Sequence, residues 1–324
     1  MSALLSISHR TNFFAALVAL LETACTPNGS AGKKNLLMVQ PLRNHPVTRI
    51  MQAGFLNRCR EIGYSCEVVG NPSATNLDVS ATIPLAEAAL SRQDFAAVGV
   101  FALDQSIYPF IFKLSKEHVP VVTWHVLPPA GSVPGLSAAT GEDINQVGEI
   151  AAMALGQKLG GEGLVAITQG SFNVEENAKA AAFSRSITTR FPRIKLLEPQ
   201  AEGYEPGTAK NRVINLLQAH PDIAGAFSTT GNGAQTWAGA ARATDHKLVI
   251  LGMDYIRQNL DLVKAGEVYG VVAQPLYEEG ARAADLASAL SQGKKVPYLN
   301  VLPANIITAD NVKSYYDVLQ KAQL

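Results

Sequence analysis

Three features of the chain predict an α/β fold of parallel sheets covered on both faces by helices, set out as two similar halves. Short, continuous apolar runs alternate with amphipathic segments along most of the length, the pattern of strands buried on both sides. The alternation breaks once, between residues 125 and 142, in a polar connection holding Pro128, Pro129 and Pro134, and then restarts. The stretch Lys247 to Gln274, KLVILGMDYIRQNLDLVKAGEVYGVVAQ, condenses the plan into one unit of strand, helix and strand. Asp254 and Gln274 stand just past the carboxyl ends of its two apolar runs, at the rim where open α/β sheets bind ligands. Capping of the following helix is the alternative role for Asp254.

Taken in order, NLLMV (Asn35 to Val39) is the first strand and QPLRNHP the loop leaving it. Thr48 to Gly63 reads as an amphipathic helix with Ile50, Ala53, Phe55, Leu56, Cys59 and Ile62 on its apolar side. SCEVVG begins the second strand. Leu77 to Ser91 is a helix, FAAVGVFA a buried strand, Ile107 to Glu117 a helix and VPVVTW a strand that leaves His125 at its end. Beyond the connection, which leads to GLSAATGED, Asn145 to Leu159 is helical, GLVAIT a strand, Glu175 to Thr189 helical and KLLEPQ a strand. Gly207 to His220 is a helix, IAGAFST a strand and Gly233 to Ala243 a helix. In the organising stretch, Ile256, Leu260 and Val263 recur at helical spacing and Gly266 stops the helix. A helix over Glu278 to Gln292, a strand-like tail VLPANII and a final helical segment after Ala309 close the chain.

The composition suits two globular domains. Of 324 residues, 47% are hydrophobic and 17% charged, which excludes a disordered chain. The 27 basic and 27 acidic residues cancel and form no basic stripe, which argues against nucleic acid as a partner. Beyond the N-terminus no apolar run reaches the ~18 residues of a membrane-spanning helix. At the N-terminus, His9 and Arg10 precede the apolar FFAALVALL (Phe13 to Leu21) and the small-residue stretch ETACTPNGSAG, the layout of a secretory signal. Cys25 suits acylation as a lipoprotein, although Glu22 stands where such a motif carries Leu; cleavage after Ala31 is the alternative. Export places Cys59 and Cys66 in an oxidising compartment, as a local disulfide or as two buried thiols. Their spacing is not that of a metal or redox motif, and no metal ligands or cofactor are expected.

Several stretches, RNHP, VPVVTWH, KAAAF (Lys179 to Phe183), LLQAHPDIAGAFST, LGMD, KAGEVYGVVAQ and GKKVP, carry a resemblance to a known family. From Lys34 to Val312 the chain resembles the periplasmic sugar-binding proteins of ABC importers, the ribose-binding-like group. The resemblance implies two Rossmann-like lobes with parallel sheets joined by a three-strand hinge. Residues 1–33 would be signal peptide and leader, residues 34–141 with 275–303 the first lobe, and residues 142–274 with 304–324 the second. It implies a pocket as well. Asn44 and His45 fall in the first-strand loop, where the family reaches sugar hydroxyls. His125 replaces a family Asp, Val126 and Lys179 replace family Arg residues, and Thr230 replaces a family Asn. Tyr204 falls where an aromatic ring packs on the sugar; Asp254 and Gln274 match outright. Pro41, Val47 and Thr48 replace polar or aromatic residues. Trp124 is a second aromatic candidate, with a core place in its strand as the alternative; for Lys179 the alternative is a solvated helix face.

The implied function is capture of a small sugar or polyol, a deoxysugar or modified sugar fitting as well as a pentose. The implied partner is an ABC permease in the inner membrane, and the protein would be a periplasmic monomer. Charge-assisted hydrogen bonds from Asp254 and Lys179 would be the strong ones. Two alternatives remain at this point, a periplasmic sensor presenting its ligand to a membrane receptor and a carbohydrate-active enzyme. The enzyme lacks sequence support: there is no GxSxG elbow, Walker loop or HExxH helix, and GNGAQTWAG has Thr236 where a dinucleotide loop needs its third glycine. A helix-turn-helix, as in repressors of the same fold, has no place where the N-terminal apolar segment stands.

Overall fold

The computed structural model describes residues 34–324. The expected leader, including Phe13 to Leu21, Cys25 and the Ala31 cleavage point, lies outside them. The first half runs β1 (Asn35–Val39), α1 (Pro46–Glu61), β2 (Ser65–Val69), α2 (Ile83–Arg92), β3 (Ala97–Val100), α3 (Tyr108–Lys116), β4 (Val121–Trp124) and β5 (Leu136–Glu142). The second runs α4 (Ile144–Lys158), β6 (Glu162–Gln169), α5 (Val174–Arg190), β7 (Arg193–Leu196), β8 (Gln200–Ala201), α6 (Pro206–Ala219), β9 (Ile223–Ser228), α7 (Gly233–Thr244), β10 (Val249–Met253), α8 (Arg257–Ala265) and β11 (Gly270–Ala273). Then follow α9 (Leu276–Ser291), β12 (Leu299–Leu302), β13 (Asn305–Ile307) and α10 (Val312–Lys321).

These strands form two sheets, ordered β12-β5-β4-β3-β1-β2 and β13-β11-β10-β9-β6-β7, with β8 beside β6. Pairing is parallel throughout the first sheet. In the second only β13 runs antiparallel, against β11. Every residue of β3, β4 and β11 is buried, as helices on both faces require, and this is why those strands read as unbroken apolar runs. The chain passes between the sheets three times: after β5, after β11 and between β12 and β13.

Helix α9 returns from the second sheet to pack along α1 and under β3 and β4. Two glycines permit the approach. A Cβ on Gly54 would lie 2.0 Å from the Tyr277 carbonyl oxygen, and one on Gly280 would lie 2.0 Å from that of Met51. The close packing brings Glu279, near the start of α9, beneath the end of β4. On the buried side of α1, Cys59 is joined to Cys66 of β2, so the disulfide alternative holds.

Several expectations shift for local reasons. Helix α1 begins at Pro46 rather than Thr48, because Pro suits the first helical position and His45 caps it. The helix expected from Leu77 begins at Ile83, after a 3-10 turn over Ser80–Thr82. GLSAATGED, to which the connection leads and to which the sequence assigns no element, is mostly strand β5. KLLEPQ divides into β7 and β8, with Pro199, which has no N–H to donate to a ladder, in the gap. VLPANII is two strands in different sheets, divided at Pro303, so the tail is itself a crossing.

Candidate functional site

The carboxyl ends of both parallel sheets face one cavity of about 100 Å³, somewhat below the ~150 Å³ in which a protein interior holds a benzene ring. One wall comes from the first sheet and its loops: Leu42, Val47, Met51, Leu77, Phe101 and Leu103, with Trp124 behind. The opposite wall is polar and comes from the second: Asn173, Glu175, Glu176, Lys179, Tyr204, Thr230 and Asp254. His125 and Gln274 stand between them.

Three lining residues reach the cavity through the left-handed backbone region, Leu42 (φ 50°) in the loop after β1 and two that follow strands. His125 (φ 68°) follows β4, and Asp254 (φ 70°) follows β10, the strand at the same position in the second sheet. Side chains seldom adopt this conformation, and it costs on the order of 1 kcal/mol or more each. The Asp254 turn is well braced. Its N–H donates to the Val272 carbonyl at 2.8 Å. The buried Asn259 amide donates to the carbonyls of Gly231, Met253 and Asp254 at 2.8, 2.9 and 3.0 Å. The Asp254 carboxylate is 3% exposed, and its Oδ1 accepts no hydrogen bond. Burial pushes its pKa up to about 7.

Behind the cavity an acid–base network spans two of the crossings. Lys179 Nζ donates to Glu142 Oε1 at 3.0 Å and is 3.8 Å from Glu175 Oε2. Gln274 Nε2 donates to the same Glu142 oxygen at 2.6 Å. His125 Nδ1 lies 3.0 Å from Glu279 Oε2, and Gln274 Nε2 lies 3.4 Å from His125 Nε2. Burial alone would raise the Glu142 carboxyl, but the Lys179 ammonium, followed by His125, outweighs it and holds the group below its usual range. Glu279 moves the other way, well above the usual range, through burial and then the neighbouring Glu142 charge. Lys179 is likewise held above its usual range, Glu142 and Glu175 overcoming burial. His125, Glu142 and Glu279 bring one ligand atom each within 4.8 Å of one another. The Lys179 ammonium on Glu142 makes this a hydrogen-bonded network, poorly suited to a metal cation.

A second polar group orders the far side. Glu176 accepts from the Tyr204 hydroxyl at 2.7 Å, the Thr229 hydroxyl at 3.1 Å, the Asn173 amide at 3.1 Å and the Gly170 N–H. Burial, followed by the Glu176 charge, raises the Tyr204 phenol, which therefore stays protonated as a donor.

Of the nine expected residues, the structure brings eight to the cavity: His45, Trp124, His125, Lys179, Tyr204, Thr230, Asp254 and Gln274. Asn44 is not among them; it is exposed, while the next residue turns inward as the cap of α1. His45 Nδ1 accepts from Val47 N–H at 3.3 Å, and burial lowers its pKa to about 4, leaving a neutral ring. Lys179 is buried rather than on a solvated face. Trp124 fills both of its suggested roles, lying 0% exposed in its strand and lining the cavity, stacked 5.0 Å from Phe101. Sequence reasoning missed Glu142, Glu175, Glu176, Glu279 and Phe101. Glu142 stands in GLSAATGED, whose small residues mark no buried strand in the sequence. The others stand one turn into helices or just past a strand, where acidic or apolar residues are ordinary.

Comparison with known proteins gives a consistent result. A family described as a periplasmic binding protein domain matches residues 36–295. The ribose import binding protein RbsB of Bacillus subtilis is 25% identical over 292 residues, 86% of this chain and 92% of that one. The xylitol-binding protein of Mycolicibacterium smegmatis is 24% identical over 250 residues, 76% of this chain and 70% of that one. Among solved structures, an ABC transporter solute binding protein from Burkholderia graminis in complex with D-arabinose superposes with a TM-score of 0.79 at 23% identity, covering 88% of this chain and 98% of that one.

Proposed function

The chain belongs to the periplasmic binding protein domain family, and from that premise we propose that it captures a small sugar or polyol between its lobes and delivers it to an ABC-type importer. The observation that carries the proposal is one cavity formed where the carboxyl ends of both sheets converge, crossed by the chain on the same side. Relatives named for ribose import and for xylitol binding support the ligand class. The reading is of binding without chemical conversion.

Asp254, Lys179, Gln274, His125, His45 and Thr230 take the ligand's hydroxyls in this scheme, while Tyr204, Trp124 and Phe101 enclose its C–H faces. The first lobe comprises residues 34–141 with 275–303 and the second residues 142–274 with 304–324, closing about the three crossings as a hinge. A permease of the inner membrane reads the closed monomer. Residues 1–33 direct export, either with Cys25 acylated as a lipid anchor or with cleavage after Ala31 releasing a free periplasmic form.

Thermal unfolding against pentoses, hexoses, deoxysugars, polyols and modified sugars, amino derivatives included, tests the proposal. A ligand at a hundred times its dissociation constant adds ~2.7 kcal/mol, a rise of several degrees in Tm. Silence across every class would refute it.

A further inference from the structure

The polar wall of the cavity carries more carboxyl groups than its cations balance. Glu175, Glu176 and Asp254 line it, and Glu142 and Glu279 lie directly behind. Among the lining residues Lys179 is the only lysine or arginine, and it is engaged by Glu142 at 3.0 Å. His45 is neutral and belongs to the other wall, and His125 turns its Nδ1 to Glu279. Protonation of Glu279, which burial and Glu142 both favour, leaves four carboxyls. Even a charged His125 beside Lys179 would offset only two of them.

Glu176 is surrounded by four protein donors. Asp254 Oδ1 and Glu175 Oε2 accept no hydrogen bond, although the two residues are only 3% and 6% exposed; Lys179 Nζ, already engaged by Glu142, stands 3.8 Å from the Glu175 oxygen. Glu142 Oε2 and Glu279 Oε1, behind the cavity, also accept no hydrogen bond, but Glu142 has Lys179 and Gln274 on its other oxygen. A buried carboxylate without a partner is strongly unfavourable, so it is neutralised by a proton or met by a cation. A neutral hydroxyl donates a hydrogen bond but brings no charge. The facing wall of Leu42, Val47, Met51, Leu77, Phe101 and Leu103 has no charged group, so a cation entering here is drawn to the acidic side alone.

We propose that the solute held in this cavity carries a protonated amine seated against Asp254 and Glu175, as in an amino- or imino-substituted sugar or polyol, with its hydrocarbon face toward Phe101 and Leu103. The inference rests on the sugar-or-polyol reading above and narrows it. In the empty cavity Asp254 and Glu175 retain protons more readily than ordinary carboxyls, because burial raises both; an arriving ammonium replaces those protons as the balancing charge.

The test is calorimetric titration of the protein at neutral pH with matched pairs, differing in the amine, on pyranose, furanose, pentitol and hexitol frames. Examples are glucosamine against glucose, deoxynojirimycin against anhydroglucitol, and glucamine against glucitol; calcium chloride alone forms a third arm. The expected result is at least tenfold tighter binding of an aminated member than of its neutral partner. Asp254→Asn and Glu175→Gln should each shrink that ratio several-fold. Equal or tighter binding of the neutral members overturns the amine and leaves the sugar-or-polyol reading standing. Binding of calcium alone, abolished by the same substitutions, overturns the amine in favour of an inorganic cation. Failure of both organic arms on every frame overturns the sugar-or-polyol reading itself. An amine preference unchanged in both variants overturns the assignment to these two carboxyls.

Discussion

Lys179 Nζ lies 3.0 Å from Glu142 Oε1, with both side chains withdrawn from solvent. Lys179 stands on α5 of the second lobe, whereas Glu142 ends β5, where the chain leaves the first sheet. The pair thus ties a helix of one lobe to a crossing. Removing one partner strands a buried charge, which costs about 3 kcal/mol or more. Lys179→Met should lower the denaturant midpoint accordingly, and adding Glu142→Gln should recover part of the loss. Additive losses in the double variant would show that the two groups do not act as a pair.

Asp254 presents the opposite balance, since its Oδ1 has no hydrogen-bond partner within the protein. Asp254→Asn removes a buried charge and should leave the unliganded protein as stable as before or more so at pH 8, above the pKa of about 7 to which burial raises the group. The same change should weaken ligand binding by at least ~1.5 kcal/mol, the scale of one hydrogen bond to a charged group. Unfolding without ligand and titration with it measure the two effects separately. A variant that loses stability without losing affinity would give Asp254 a structural role.

How much of this was legible in the sequence follows the physics of each element. Strands buried on both faces announce themselves, so β1, β3, β4, β10 and β11 were found from LLMV, AVGV, VVTW, VILGM and GVVA. Strand β5 was missed because LSAATGE has only one large apolar residue; its small side chains lie between β4 and the edge strand β12. Asp254 and Gln274 were legible because each ends an apolar run. Glu142 and Glu279 were not, because their importance comes from meeting across 137 positions of sequence. Asn44 and His45 are neighbours with opposite fates, one exposed and one capping α1, and only the helix start at Pro46 decides between them.

Glu202 supplies a pH prediction away from the cavity wall. It is 1% exposed, and burial raises its carboxyl from 4.5 to about 8. The folded protein therefore binds this proton more tightly than the unfolded chain. The resulting stabilisation is complete below pH 4.5 and is lost progressively as pH rises to about 8. Glu202→Gln removes the contribution, so the difference in stability between variant and parent should move in the variant's favour from pH 5 to pH 8. A difference independent of pH over that interval would mean that Glu202 is ionised throughout.

The bond between Cys59 and Cys66 closes a short loop, with a sequence separation of 7. Loop-closure entropy for so short a ring corresponds to about 2 kcal/mol. The double substitution Cys59→Ala, Cys66→Ala should lower stability by that order, with a small added loss because Cys59 is buried. Equilibrium unfolding of the variant beside the parent under non-reducing conditions checks it. Ligand affinity should be unchanged, since neither cysteine lines the cavity.

Gly231 offers a direct test of closure between the lobes. It follows β9 of the second sheet, yet a Cβ placed on it would lie 2.5 Å from Cγ2 of Val47, on α1 of the first lobe, and 2.9 Å from Asp254 Oδ2. The Val47 contact spans the lobes and exists only while they are together, so a methyl group there would hold them apart; the Asp254 contact lies within the second lobe and is met by a shift of that carboxylate in either state. Gly231→Ala should therefore spare the folding of each lobe while weakening binding by about 1–3 kcal/mol, the usual cost of an added methylene in a packed site. X-ray scattering gives the sharper readout. With saturating ligand the parent should become more compact, and the variant should compact less at equal occupancy. Equal compaction of the two would show that Gly231 and Val47 are not brought together by closure.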